Sequence, residues 1–372
     1  MNNNCSINTT DYHSRGHLYL FGYANIVFSV IGTFFNLSVM MVYSQKHMTS
    51  PMHTIIAHLA ATDVLTAVAY IPHSWQELIR ANYNITIKTI VEHRTENWEQ
   101  CSFYSWHLTA TFTHISSLLV VMLGVWRYIG IIHPLRERSW CNTRNTRIII
   151  VVCYILGILA SIPAFLGTSV AKESICRNGT NITIHQLRIM DREDDLTFKA
   201  TFLFYGILLK TLPSVALTTI SCRLILALHQ AKLRHEQLTR NTSTLSNESN
   251  RRFTRKRKQT IQITKMLLIV LGLFVTGELP HGIFCSLTAI YGTEFYYKYY
   301  YNLSEIFNTV NNFCSCTYFL VYYNMSNKFR NTFKVLIKCQ EPSPLMYQNT
   351  FASCNANTIN QCTNDVVIRS FP

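Results

Sequence analysis

Charge is what this sequence has least of: 14% of its residues are charged and 48% are hydrophobic, where about a quarter of a soluble domain is charged. The bilayer is therefore the solvent in which its fold has to be argued. The 12 cysteines form no CxxC pair and no His/Cys cluster at zinc spacing, which argues against a structural metal site. No segment of about 20 to 50 residues repeats, and nothing marks a second folded domain. No nucleophile, base and orienting group converge at any recognisable spacing, which argues against an enzyme. Residues 1–17 hold no apolar core ahead of a small-residue cleavage site, so no removable signal peptide is expected, and the first apolar stretch serves as an uncleaved anchor.

What is present is a series of seven apolar stretches, at 18–43, 53–75, 101–131, 146–168, 198–228, 261–290 and 299–323. A helix rises about 1.5 Å per residue, so about 20 mostly apolar residues cross the hydrocarbon. The second and seventh stretches are the least hydrophobic. The pattern predicts an all-α integral membrane fold, with an outer tail 1–17, a seven-helix bundle 18–324, an amphipathic surface helix 325–339 and a disordered inner tail 340–372.

A net charge of +14 would suit a nucleic-acid partner if it formed one compact patch. It does not: Lys46, Arg136, Arg144, Lys232, the run Arg251 to Lys258 and Lys328 lie in alternate connections, whereas Asp191-Arg192-Glu193-Asp194-Asp195 mixes signs. An excess of Lys/Arg in alternate loops places the N-terminus outside and the C-terminus in the cytosol of a plasma-membrane protein, and no nucleic-acid partner is expected. Glycosylation sequons at Asn4, Asn8, Asn84, Asn178, Asn181 and Asn302 fall on the outer side, although others at Asn36, Asn241, Asn247 and Asn324 do not. Cys101 heads the third stretch and Cys176 lies in the second outer loop, where a disulfide would persist; two free thiols is the alternative. Cys5 is left to pair with Cys285 or with nothing.

The run Arg251 to Lys258 is either a plain positive flank or a site for anionic lipid headgroups. After the seventh stretch, Phe329, Phe333, Leu336 and Ile337 recur at helical spacing among Lys328, Arg330, Lys334 and Lys338, which predicts a helix on the lipid surface. Cys339 at its end is a candidate for a palmitoyl chain. The Asn-, Ser- and Thr-rich tail beyond has little to bury.

At the inner end of the third stretch stands Trp126-Arg127-Tyr128. An arginine costs roughly 2.5 kcal/mol or more at membrane depth, so its presence there suggests a bundle that moves to signal. Asn36, Leu59-Ala60-Ala61-Thr62-Asp63, Arg127-Tyr128, His133-Pro134-Leu135, Phe274, Pro213, Pro280, Tyr322 and Phe329 occur in the order and spacing of the motifs of rhodopsin-like G-protein-coupled receptors. Residues 18 to 339 resemble that family. Within it, Val125-Trp126-Arg127-Tyr128, Gly277-Glu278-Leu279-Pro280-His281-Gly282 and Met325 to Phe333 most resemble the invertebrate receptors for myosuppressin and FMRFamide-like peptides and related nematode chemoreceptor-like families.

The resemblance implies a Cys101–Cys176 disulfide and a polar core of Asn36, Asp63, Ser116 and Ser315. In the family the aspartate helps hold sodium; Tyr318 and Phe319 stand where an asparagine and a proline are expected, which leaves sodium control open, and no cofactor is expected. It also implies that Arg127 swings toward a heterotrimeric G protein as the sixth span moves, with Trp126, Tyr128, Phe274, Glu278, Pro280 and Tyr322 in the switch. Trp126 cannot supply the usual neighbouring carboxylate, so restraint on Arg127 must come from elsewhere. Thr109 replaces the aspartate that pairs amines, and Asn312 the lysine that holds retinal, which disfavours both ligands. Glu278 lies near the pocket floor, Glu77 and Glu305 near its mouth, with Thr109 and His281 the other residues expected to meet ligand, and a ligand arginine could pair with one of the acids. Glu278 could equally pair internally with His281 or His114. The expected ligand is an extracellular neuropeptide, with an amidated Arg-Phe end as one form. A receptor for small odorants and, from another class, a secondary transporter are the alternatives.

Overall fold

Hydrocarbon offers a backbone no hydrogen-bond partners, so each apolar stretch must satisfy its own, and each folds as a helix. The structure is a computed structural model that describes residues 15–48, 50–81, 96–177, 180–189, 195–241 and 247–337; within these, the side chains of 15–19, 173–189, 195–197, 231–241 and 247–260 and of a few single positions are not described. The spans are α1 (Arg15–Tyr43), α2 (Pro51–Ala81), α3 (Glu96–Ile132) and, after a short inner helix α4 (Pro134–Trp140), α5 (Thr143–Leu166). The fifth span joins α6 (Asp195–Leu203), a π-turn Phe204–Thr211 and α7 (Leu212–Asn241). Then come α8 (Asn247–Tyr291), a second π-turn Tyr296–Tyr300, α9 (Tyr301–Met325) and the surface helix α10 (Asn327–Ile337).

Among the described residues six of the seven spans are long and apolar enough to cross a bilayer by composition alone. The seventh, α9, is 25 residues long, about 37 Å at 1.5 Å per residue. Its polarity comes from Asn308, Asn311, Asn312, Glu305 and their neighbours, most of which face the bundle's cavities. On α5 the opposite logic holds: Val151, Ile155, Leu159 and Ile162 are exposed, an outward apolar face that suits lipid and not water.

The connection between the fourth and fifth spans differs from the plain loop expected. It is a hairpin, with β1 (Thr168–Arg177) antiparallel to β2 (Thr180–Ile189), Thr168 opposite Ile189 and Arg177 opposite Thr180. The signal was present: β-branched Thr180, Ile182, Thr183 and Ile184 follow the dipeptide Asn178-Gly179, a favoured hairpin connection.

The apolar core fills the inner half of the bundle, where Leu59, Leu119, Leu123, Leu267, Leu271 and Tyr322 are buried together. The surface helix is pinned to it by Phe329, which is fully buried, with ring centroids 5.4 Å from Tyr43 and 5.9 Å from Phe319. Lys328 Nζ donates to the His47 carbonyl at 2.9 Å, and His47 Nε2 lies 2.9 Å from Thr332 Oγ1, so polar contacts fix the same helix to the first inner turn. Asn4, Asn8, Asn84, Asn178, Cys339 and the tail 340–372 lie outside the described residues, as does most of 1–17. Asn181 lies on β2 and its side chain is not described.

Candidate functional site

Pro72 interrupts α2 in its outer half, and the next residue shows the consequence. The Ser105 hydroxyl of α3 accepts from the His73 N–H at 3.2 Å and donates to the Ala69 carbonyl, standing between two groups that an unbroken helix would pair directly. This fixes the outer part of α2, with His73 and, one turn on, Glu77 in the wall of a cavity of about 200 Å³. Thr109, His281 and Glu305 line the same cavity, so four of the five residues predicted to meet ligand are brought together. Aromatic rings, among them Trp106, Phe198, Phe202, Tyr205, Tyr296 and Tyr300, share its walls with threonine, serine and asparagine side chains.

The two outer acids are held by tyrosines. Tyr70 donates to Glu305 Oε2 at 3.0 Å, with His73 Nε2 3.9 Å from Oε1, and Tyr301 donates to Glu77 Oε2 at 3.4 Å.

Glu278 has a different partner from those expected. Lys210 Nζ of the fifth span donates to Glu278 Oε2 at 2.6 Å, with both side chains almost fully buried. His281 Nε2 lies instead 2.9 Å from the Tyr300 hydroxyl, and His114 Nδ1 lies 3.0 Å from Ser161 Oγ. The reading of Glu278 as paired with either histidine is thereby corrected, and its carboxylate already has a cation. Sequence reasoning passed over Lys210, although a lone lysine inside an apolar span is a signal in itself: ionisable groups at that depth pair with one another.

Two glycines make the pairing possible. A Cβ on Gly206 would stand 2.7 Å from Ser286 Oγ and 2.8 Å from Cys285 Cβ, and one on Gly282 2.7 Å from Thr211 Oγ1 and 2.9 Å from Lys210 Cβ. Backbones of the fifth and sixth spans thus approach as closely as small residues allow. The π-turn carries Lys210 into this contact, Leu212 N–H donating to the Ile207 carbonyl, one residue ahead of Pro213.

Deeper in the bundle a cavity of about 30 Å³ is lined by Asp63, Ser116, Phe274, Glu278, Ser315 and Tyr318. Ser116 donates to Asp63 Oδ1 at 2.8 Å and Asn36 Nδ2 to Ser315 Oγ at 3.1 Å, while Asp63 Oδ2 is buried and has no close hydrogen-bond partner among the described residues. Asp63, Ser116 and Ser315 line this space together with Tyr318, which replaces the family's asparagine, and the space suits one water-sized occupant.

At the inner end Arg127 is buried, and its Nε donates to Thr264 Oγ1 of α8 at 2.8 Å, with Nη2 on the same oxygen. Trp126 Nε1 donates to Thr146 Oγ1 of α5 at 3.2 Å. A hydroxyl on the sixth span thus contributes to the restraint that the missing carboxylate left open. Tyr128 is partly exposed beside them, and Tyr322 is buried, its hydroxyl without a hydrogen-bond partner among the described residues and its ring edge-on to Tyr43 at 5.6 Å. Cys101 is an exposed free thiol, and Cys176, its expected partner, lies on β1 with its side chain outside the described ones.

An outer cavity, a polar centre and an inner arginine within seven helices define a signalling membrane receptor. Residues 23–340 match the family described as serpentine type 7TM GPCR chemoreceptor Srw, and the chain belongs to it. The chain is 24% identical to the sex peptide receptor of Drosophila melanogaster over 85% of its own length and 72% of that protein. It is 26% identical to sex peptide receptor-related protein 2 of Caenorhabditis elegans over 90% and 77%, and 22% identical to the Drosophila melanogaster FMRFamide receptor over 63% and 40%. The resemblance to rhodopsin-like receptors of the invertebrate neuropeptide kind is borne out, as is the all-α multi-pass membrane fold.

Proposed function

We propose that this receptor takes an extracellular peptide into the outer cavity and passes the event to a heterotrimeric G protein at Arg127. The observation that carries the reading is the cavity itself: two carboxylates, Glu77 and Glu305, among aromatic walls, at the opposite end of α3 from a buried arginine. Such a lining suits a ligand with a cationic and an aromatic side chain, as an amidated Arg-Phe end would have. Relatives named as receptors for sex peptide and FMRFamide support a peptide. The Lys/Arg distribution supports an outer N-terminus and inner C-terminus at the plasma membrane. An exposed Cys101 is open to oxidation, and its bond to Cys176 belongs to this reading, as do glycans on Asn4, Asn8, Asn84, Asn178 and Asn181, a lipid on Cys339, and the boundaries at 17, 324 and 339.

The family's description as chemoreceptors favours a second reading, in which the ligand is a small odorant. Expression in cells, exposure to a panel of amidated peptides and recording of second messengers decides between them. A response to peptides is expected. A response to volatiles alone would overturn the peptide, and uptake of label without signalling would favour a transporter.

A further inference from the structure

Two cavities lie one below the other in this bundle, sharing Thr66, Thr113, Asn311 and Asn312 in their walls. Lys210 lines the outer one and Glu278 the deeper one, so their 2.6 Å contact joins the wall of the ligand cavity to that of the polar centre. Taking two charges out of water is costly, and apolar residues packed in their place would serve stability as well, so packing alone does not account for the pair. Its position is more informative. It ties the π-turn of the fifth span to α8 two residues before Pro280, where the missing N–H breaks the helical ladder and gives a pivot. On either side of it, at Gly206 and Gly282, the two spans are in close backbone contact, with no bulky side chain to hold them apart or lock them by shape.

We propose that Lys210 is the residue through which occupancy of the outer cavity reaches the sixth span, a role that rests on the receptor reading above. An ammonium has three donors, and Glu278 takes one. A hydrogen-bond acceptor at the deep end of the ligand, a carbonyl or carboxylate oxygen, draws Nζ away from Glu278 along the Tyr205 ring, whose centroid lies 5.2 Å from it. With the tie released, α8 turns at Pro280 and the Arg127 to Thr264 contact at its inner end opens. The ligand class selected is one that carries an acceptor oxygen at the end that enters deepest; a pure hydrocarbon has nothing to offer the ammonium.

Basal signalling of the full-length receptor, normalised to surface expression and measured without ligand, tests this directly. K210M/E278M replaces the pair by apolar residues, a change that buried ion pairs generally tolerate. It is expected at the surface with basal output several-fold above wild type, while the exchange K210E/E278K returns output toward the wild-type level. An amidated peptide that activates wild type should raise output of K210M/E278M less than about twofold, since no tie is left to open. Wild-type basal output from K210M/E278M at the surface would overturn the proposal, and an undiminished fold-response to the peptide would overturn the route through Lys210. Failure of both double variants to reach the surface would overturn it too, by making the pair a requirement of assembly and not a point of release. The peptide reading is judged separately on the wild type: raised basal output of K210M/E278M in a receptor that answers no peptide keeps the tie and discards the peptide.

Discussion

Lys210 Nζ and Glu278 Oε2 lie 2.6 Å apart on side chains only 3% and 2% exposed. Removing one member of such a pair strands a buried charge and costs about 3 to 5 kcal/mol, whereas replacing both by apolar groups is often neutral. K210M and E278M are each expected to lower the melting temperature of the purified receptor more than K210M/E278M does. Additive losses in that cycle would mean that the two side chains contribute independently.

Among the contacts of Arg127 is one to Thr264, a neutral group on the sixth span. Thr264→Val keeps the shape and removes the acceptor; a hydrogen bond to a charged group contributes about 1.5 to 3 kcal/mol, or roughly tenfold and more in the balance of resting and active states. Basal signalling of Thr264→Val should rise accordingly, while Arg127→Ala should reach the surface and signal poorly. Unchanged basal output of Thr264→Val would show that this hydroxyl does not hold the sixth span.

The close approach of the fifth and sixth spans makes glycine a requirement at two places. Gly282→Ala and Gly206→Ala would each force backbone or Lys210 to shift, at a cost of about 1 to 3 kcal/mol. Gly272→Ala has nothing within 4 Å of its new methyl and should be tolerated. Melting curves of the three variants check the contrast; equal gains at Gly272 and Gly282 would mean that helix propensity, which favours alanine over glycine, and not contact sets the effect.

The seven spans and the surface helix were legible because each obeys a local rule: apolar length for the spans, weakest in the second and seventh, and Phe329 and Phe333 at helical spacing for the surface helix. The outer site was legible in part. Glu77, Thr109, His281 and Glu305 share a cavity because the helical repeat fixes which face each presents, and the family motifs fix the rest. The partner of Glu278 was not legible, since it depends on Gly206, Gly282 and the π-turn bringing two spans into contact, and periodicity along one helix carries no record of its neighbour. Thr264 was missed for the same reason: a threonine on an apolar helix carries no sign that an arginine on another span will meet it.

His47 lies outside the spans, in the turn Lys46–Met48, with its Nε2 on Thr332 of the surface helix. Burial first, and then the charge of Lys328, hold its pKa below the ordinary 6.5. A lowered folded value means that the unfolded form binds the proton more readily, so the stabilising contribution is present above the ordinary value and is lost as pH falls through it and below. Protection of the amides along Asn327–Ile337, taken relative to their intrinsic exchange at each pH, should therefore fall as the inner face is acidified below about 6.5, and His47→Asn should remove that dependence. Protection that is flat with pH in the native receptor would disprove it.

With Glu278 occupied by Lys210, the acid left for a ligand cation is one of the outer pair, and Glu305 is the stronger candidate. It accepts from Tyr70 at 3.0 Å and has His73 Nε2 at 3.9 Å, so its carboxylate is positioned before any ligand arrives. A positioned carboxylate loses less freedom on binding an arginine, and the charge-assisted contact is worth about 1.5 to 3 kcal/mol. Glu305→Gln keeps the shape and an oxygen for Tyr70 while removing the charge. The potency of an active arginine-bearing peptide should fall roughly tenfold to a hundredfold on Glu305→Gln, and that of its citrulline analogue, which has no charge to lose, should scarcely move. Glu77→Gln should affect the arginine peptide less. Equal shifts for the two peptides on Glu305→Gln would reject the charge pair, and would leave Glu305 as a support for Tyr70 and α2.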